Sequence, residues 1–160
     1  MPAIEYTPIG LVRSPFKEIA GMPIQPPAAK GVRGSVILLD EFSAGLQDID
    51  GFSHLILIYH LHLVRDFSLS VKPFLDNDEH GIFSTRAPKR PNPIGLSVVR
   101  LITRSGATLE IENVDILDGT PLLDLKPYVP QFDAPENARI GWFEGRLDKI
   151  GQARSDDRFS

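Results

Sequence analysis

The chain has 160 residues, of which 42% are hydrophobic, and it carries a formal net charge of −4. This length supports one domain with a buried core, and the absence of cysteine excludes disulfides and thiolate metal sites. The acidic balance argues against a protein that coats itself non-specifically with nucleic acid. The first residues lack the features of a signal peptide and no apolar run is long enough to span a bilayer. We therefore expect a cytoplasmic protein without a membrane partner.

In chain order, the segments rich in Val, Ile, Leu and aromatic residues are short and separated by turn residues. Residues 17–31 contain three prolines and two glycines and are predicted to form a long irregular loop. Residues 41–47 predict one or two helical turns, and residues 52–64, apolar on both faces, predict a central strand. The predicted strands are residues 4–12, 33–39, 52–64, 71–75, 81–85, 96–103, 108–114, 122–128 and 139–143. Many short strands with almost no helix predict an all-β barrel with short helical turns.

Residues 85–97 are the most distinctive stretch of the sequence. Pro88, Pro91 and Pro93 restrict φ and remove backbone donors, which predicts a stiff extended loop that Gly95 releases into the next strand. The stretch also concentrates positive charge, and a rigid backbone carrying guanidinium groups loses little entropy when it binds an anion. The alternative is a surface crossover with solvated charges, and composition alone does not choose between the two.

Three histidines, His54, His60 and His62, fall on one face of the predicted central strand. A zinc site normally needs further ligands, and none is evident, so we predict no metal site. Histidines of this kind are most often core residues with satisfied nitrogens. The intermediate interpretation places one imidazole at a pocket rim as a hydrogen-bonding group or base.

Two carboxylates, Asp115 and Asp118, flank a predicted tight turn. Gly119 supplies positive φ there, and Pro121 is expected to prevent the ladder from continuing. Paired carboxylates suit acid–base chemistry, but in turns they more often fix the backbone geometry. The sequence contains no Gly-rich dinucleotide or phosphate loop and no nucleophile elbow. The residues alone therefore predict a small barrel with two ordered polar loops, and no particular reaction.

Five motifs occur in an order that resembles the TsaA-like, or TrmO, family. The resemblance extends over roughly residues 4–145, and although each motif is weak alone, together they are specific. They read IGLVRSPF at 9–16, GFSHL at 51–55, GIFSTR at 81–86, RPNPIG at 90–95 and DILDGTPLLDLKPY at 115–128.

The resemblance implies a single-sheeted antiparallel β-barrel that binds S-adenosyl-L-methionine. It implies a homodimer with the cofactor near the subunit boundary. It also implies a tRNA methyltransferase that modifies N6 of threonylcarbamoyladenosine, the purine 3′ of the anticodon. Bacterial members of the family carry a further C-terminal tRNA-contacting domain, and we expect this chain to resemble the shorter archaeal-type form. We predict a barrel domain at residues 1–150 and a polar C-terminal tail at 151–160.

Carried over by motif, the resemblance also implies the site residues. The expected cofactor contacts are Pro23, Ile24, Gln25, His62, Leu63, Arg86, Leu96, Asp118, Gly119, Thr120 and Pro121. The expected RNA contacts are Arg86, Lys89, Arg90, Asn92 and Arg100. The acceptor nitrogen must lose a proton, and Asp118 or His62 is expected to assist that step as the catalytic group.

Two other functions stay open at this point. One is a non-catalytic β-barrel module that binds nucleic acid or a nucleotide through the basic proline loop. The other is a methyltransferase with a small-molecule acceptor. Cofactor binding separates both methyltransferases from the module, and salt-dependent tRNA binding separates the tRNA enzyme from the small-molecule enzyme.

Overall fold

The computed structural model describes residues 1–156 and contains eight strands separated by turns and short helices. Alternating apolar positions and turn residues give strands that are mostly short, as this sequence pattern predicts. The strands are β1 (Gly10–Arg13), β2 (Arg33–Leu38), β3 (His54–His60), β4 (Ser70–Val71), β5 (His80–Gly81), β6 (Ile94–Ser105), β7 (Thr108–Glu112) and β8 (Thr120–Pro127).

Six of these strands close into one antiparallel barrel in the order β1-β2-β7-β6-β3-β8, and β4 pairs only with β5. Closure removes exposed sheet edges, and the interior is filled by side chains. On β3, the inward residues Leu55, Leu57 and Tyr59 are buried, while the alternate residues are half-buried. The prediction of an all-β, single-sheeted antiparallel barrel is confirmed.

The predicted short helical turns are also present. Residues 40–46, which begin at an acidic pair, form a 3₁₀ helix where one or two turns were expected. The other short helices are Pro26–Ala29, Ile49–Gly51, Ile82–Ser84, Pro130–Asp133, Gly141–Phe143 and Leu147–Lys149. Among these short helices, only Pro130–Asp133 is an α-helix.

Several predicted strands are wrong in extent or kind. Residues 139–143 form no strand, because Gly141 has φ of +57° and begins a 3₁₀ turn. The first strand starts only at Gly10, and the candidates at 71–75 and 81–85 shrink to the two-residue strands β4 and β5. Pro121 lies within β8, opposite Leu11 of β1, so it does not interrupt the pairing of these two strands. It is the second residue of that strand, where proline is tolerated.

The segment after β8 returns across the molecule and holds the long loop at residues 17–31. The amide of Gly21 donates to the carbonyl of Ser155 over 2.8 Å, and the amide of Ser155 donates to that of Met22 over 2.8 Å. The indole nitrogen of Trp142 donates to the carbonyl of Ser84 over 2.7 Å. The loop and the C-terminal segment therefore order each other. The division at residue 150 stays a prediction, and residues 157–160 of the predicted tail lie outside the described part of the chain.

The pairing of β3 with β6 places Tyr59 opposite Gly95. A Cβ atom built on Gly95 would lie 2.1 Å from Cε2 of the Tyr59 ring, far inside van der Waals contact. The phenol crosses the glycine backbone and its hydroxyl reaches Ser97, 2.9 Å away. Glycine is required here for space and not for backbone freedom, which corrects its expected role as a release point.

We predict that Gly95→Ala lowers the free energy of unfolding by about 1–3 kcal/mol, because the added methyl group displaces a buried aromatic ring. Urea unfolding measures the effect. Gly45→Ala is the matched control, since a Cβ at Gly45 meets no atom within 4 Å. Equal stability of the two variants would contradict the close packing of Tyr59 on Gly95.

Candidate functional site

A cleft of about 1380 Å³ opens between β3, β6 and the loops beside them. Its volume exceeds that of most small-molecule sites, and its lining is mainly apolar with a few polar groups, as is typical of cofactor pockets. The 17–31 loop, the proline loop at 85–93 and the C-terminal segment form its rim. Helical and irregular segments thus contribute most of the walls, and the barrel contributes the floor.

Most of the predicted cofactor contacts meet in this cleft, although they come from four separate parts of the sequence. Arg86 links two of these parts, because its guanidinium donates to the Gln25 side-chain oxygen over 3.0 Å. Eight of the eleven predicted residues line the cleft: Pro23, Ile24, Gln25, His62, Leu63, Arg86, Leu96 and Thr120.

The proline loop is held in place by Arg90. One guanidinium nitrogen of this side chain donates to the carbonyls of Ile82, Thr85 and Ala87 at 3.2, 2.8 and 3.2 Å. These carbonyls have no neighbouring strand to bond with, since prolines interrupt the segment. The half-buried Arg90 therefore gives the loop its shape and keeps Arg86 against the cleft.

Asp118 does not line the cleft, although Thr120 of the same turn does. Its carboxylate accepts bonds from Lys17 Nζ at 2.6 Å and the Ser14 amide at 3.0 Å, and Arg13 lies 3.3 Å away. The bond from Lys17 and the amide bond lower the pKa of Asp118 below its usual value. The carboxylate lines a separate groove of about 540 Å³ with these cations and Arg33. Gly119 and Pro121 likewise do not line the cleft, so the structure does not bring these three residues together with the other eight.

His62 lies on the cleft wall just beyond the end of β3. Burial lowers the pKa of its imidazole, and the neighbouring His60 and Arg65 lower it further. The ring is therefore mainly neutral near pH 7 and is able to accept a proton or a hydrogen bond.

Asp115, which is not among the site residues that the resemblance implies, supplies a carboxylate to the cleft. Its Oδ1 accepts a bond from the hydroxyl of Ser97 over 2.6 Å, and Tyr59 contacts the same hydroxyl. Burial raises the pKa of Asp115 to about 6, against the bond from Ser97 and the charge of Arg86. The signal in the sequence is Ser97, a polar residue at an inward position of a strand that is otherwise apolar there.

The side chains of the predicted RNA contacts differ in exposure and in their partners. Arg86 and Asn92 are exposed, whereas Lys89 pairs with Asp66 over 3.4 Å and Arg90 bonds to backbone. Arg100 pairs with Glu112 over 3.2 Å and stands six residues along β6 from the loop, roughly 20 Å at the rise of a strand. Arg86 and Asn92 are therefore the exposed members of this set on the proline loop.

Residues 1–156 contain neither a metal-binding cluster nor a helix able to span a membrane. No group of three or more His, Asp or Glu side chains has a metal-binding arrangement. No helix in this part of the chain has the length and apolarity needed to cross a membrane.

Residues 11–134 match the family model of the tRNA-methyltransferase O N-terminal domain. The chain belongs to this family. A probable S-adenosyl-L-methionine-binding protein of Pyrococcus abyssi is 58% identical over 154 residues, which cover 96% of this chain and 84% of that protein. The tRNA (adenine(37)-N6)-methyltransferase of Escherichia coli is 33% identical over 81% of this chain.

The fold also matches a solved member of the family. The crystal structure of TrmO from Pseudomonas aeruginosa has a TM-score of 0.74 and 38% identity over 88% of this chain. The chain spans 63% of that protein and 60% of the Escherichia coli enzyme. The barrel and the surrounding motifs are therefore family features, which confirms the resemblance drawn from the sequence.

Proposed function

We propose that this protein is an S-adenosyl-L-methionine-dependent tRNA methyltransferase that modifies N6 of threonylcarbamoyladenosine 3′ of the anticodon. The observation that carries the proposal is the meeting of eight motif-derived cofactor residues in one cleft. The names of its relatives, an S-adenosyl-L-methionine-binding protein and a tRNA (adenine(37)-N6)-methyltransferase, support it. We place its action in the cytoplasm, where its tRNA substrate would be found.

The lining of the cleft fits the cofactor. Ile24, Leu63 and Leu96 offer apolar surface for an adenine ring, and the guanidinium of Arg86 suits a carboxylate such as that of the methionine moiety. The half-buried carboxylate of Asp115 adds a negative group to the cleft lining. When bound, the cofactor would supply an electrophilic methyl group. The protein would orient the acceptor towards that group and exclude water.

The predicted roles of Asp118 and His62 separate in this proposal. His62 stays at the cleft as a cofactor contact. Asp118 would fix the turn that leads into β8, because its carboxylate is held by Lys17 and by the Ser14 amide. A catalytic role for Asp118 would require that carboxylate to leave its cationic partner. The exposed Arg86 and Asn92 would be the first groups of the proline loop to meet RNA.

We predict that Leu96→Ser weakens S-adenosyl-L-methionine binding roughly tenfold, because an apolar contact of the size of a leucine side chain is worth about 1.5 kcal/mol or more. Calorimetric titration measures it. Leu39→Ser is a matched control, since both leucines are 48% exposed and Leu39 does not line the cleft. Equal affinities for the two variants would place the cofactor elsewhere.

We expect the purified protein to convert threonylcarbamoyladenosine in a tRNA that lacks the methyl group into its N6-methyl form. Nucleoside mass spectrometry after digestion detects the product, and the same tRNA without the threonylcarbamoyl group is the control. Binding of the tRNA should weaken steeply with salt, as phosphate contacts require. Cofactor binding without any methylated nucleoside would overturn the tRNA assignment and favour a small-molecule acceptor.

We propose further that the protein is a homodimer. Three backbone hydrogen bonds join residues 61–69 to residues 82–93. These neighbouring segments and the start of β6 expose a set of apolar side chains that a second copy would cover. They are Leu63, Phe67, Leu69, Phe83, Ile94 and Leu96.

We expect light scattering to give twice the 17.7 kDa chain mass for the wild type and the chain mass for Phe83→Asp, since a charge is costly inside an apolar interface. Phe132→Asp is the control, because Phe132 is equally exposed but lies outside this set. A monomeric wild type, or dissociation by the Phe132 variant alone, would contradict the proposed surface.

A further inference from the structure

We propose that Asp115 is the general base of methyl transfer, and that Ser97 and Tyr59 position its carboxylate at the floor of the cleft. This inference rests on the proposed function and adds a catalytic group to it. It assigns to Asp115 the proton-accepting role that the sequence pattern gave to Asp118 or His62.

The position of Asp115 carries the first part of the argument. It follows β7 directly and lines the cleft beside Ser97 and Thr120, with its side chain half-buried. Only two carboxylates among the described residues line this cleft, Asp115 and Asp133. One carboxylate oxygen of Asp133 accepts a bond from the Val129 amide at the start of a short helix, so its role is local. Asp118 lies in the separate groove.

A chain of hydrogen bonds orients the carboxylate. Ser97 uses its single hydroxyl proton to donate to Asp115 Oδ1 over 2.6 Å, so the hydroxyl of Tyr59, 2.9 Å from Ser97, donates to the serine oxygen. Burial and the nearby charge of Asp115 raise the pKa of Tyr59 well above its usual value, which keeps it protonated as a donor. The chain fixes Oδ1 of the carboxylate at the floor of the cleft.

The packing of β3 on β6 makes this chain possible. Tyr59 reaches Ser97 only because its ring passes over Gly95, where no other residue leaves room. Both Ser97 and Tyr59 are buried, so water does not compete for their hydroxyls. The proline loop, Gly95 and Ser97 therefore act together on the carboxylate of Asp115.

The charges that face Asp115 are few. Tyr59 on β3 and Arg86 on the proline loop act on it directly, and burial outweighs both Arg86 and the Ser97 bond, which gives a pKa of about 6. Such a carboxyl group is charged at neutral pH and is a stronger base than an ordinary aspartate. The other titratable groups that line the cleft are Lys30, His62, Arg90, Tyr128 and Asp133.

The chemistry needs such a base. The acceptor N6 carries one hydrogen, and its lone pair is delocalised into the carbamoyl group and the purine. In the proposed step, the N6 electron pair forms the bond to the methyl carbon, and the carbon–sulfur bond breaks with its electrons passing to sulfur. The N6 proton passes to Asp115, which later returns it to water. The products are the methylated nucleoside, S-adenosylhomocysteine and one proton, so atoms and charge balance.

The test is single-turnover methyl transfer at saturating S-adenosyl-L-methionine and tRNA between pH 5 and pH 8. The wild-type rate should rise with pH through about 6 and level off above it, because only the charged carboxylate accepts a proton. Asp115→Asn should be slower by a factor of about 100 or more, the usual contribution of a general base. Its calorimetric affinity for S-adenosyl-L-methionine should stay within about threefold of wild type.

Two further variants separate a chemical role from a structural one. In Ser97→Ala the carboxylate loses a bond that lowers its pKa, so the break in the rate profile should move to higher pH. In the protein without ligands, the pH midpoint at which the carboxyl ¹³C resonance of Asp115 titrates should also rise. This measurement does not depend on activity. Asp40→Asn, an exposed carboxylate outside the cleft, should leave the rate, the profile and the affinity unchanged.

Each outcome decides the matter. A rate for Asp115→Asn within about threefold of wild type, in a protein that melts and binds cofactor normally, would overturn the proposal. So would a loss of cofactor affinity as large as the loss of rate, since Asp115 would then anchor a cofactor cation. An unmoved profile in Ser97→Ala would do the same. An inactive wild type would overturn the proposed function and this inference together, whereas an active wild type with a fully active Asp115→Asn overturns the inference alone.

Discussion

The contact between the Tyr59 ring and the backbone of Gly95 is the constraint on which the rest of the site depends. It lets two neighbouring strands bring a phenol, a serine hydroxyl and a carboxylate into line beneath the cleft. A residue with a Cβ atom at position 95 would move the ring and break the alignment. The floor of the cleft is thus part of the barrel core, and its geometry is as rigid as the packing of that core.

The walls are built differently from the floor. They are loops, and each loop is held by a small number of bonds to backbone carbonyls. Arg90 holds the proline loop, and residues 154–155 hold the long loop near its middle. Walls of this kind open at lower cost than a strand does, because few buried apolar contacts oppose the motion. A rigid floor beneath adjustable walls suits a site that must admit both a small cofactor and a large RNA.

The sequence predicted the barrel because alternating apolar residues and turn signals are local features. It failed for residues 139–143, where aromatic and β-branched composition suggested a strand but Gly141 takes positive φ. The expectation that Pro121 ends the strand ladder was also wrong. The effect of its missing backbone N–H depends on which strands lie on each side of β8. Both errors come from tertiary context that composition does not contain.

The candidate site was predictable to a similar degree. The resemblance identified eight of the residues that line the cleft. It did not separate Asp115 from Asp118, which lie three residues apart and face different grooves. The structure is needed to tell them apart. The register of β6 against β3 shows that Asp115 is the carboxylate buried beside Ser97, and the position of Lys17 shows that Asp118 is the one paired with a cation.

The most direct test of the account is a crystal structure of the protein with S-adenosylhomocysteine, the methyl-free product. The account predicts a ligand in the cleft, with its adenine against Leu63 and Leu96 and its sulfur on the side of Asp115. A ligand bound in the groove of Arg13, Lys17 and Asp118, with the cleft empty, would contradict the account. It would return the catalytic role to the carboxylate that the sequence first suggested.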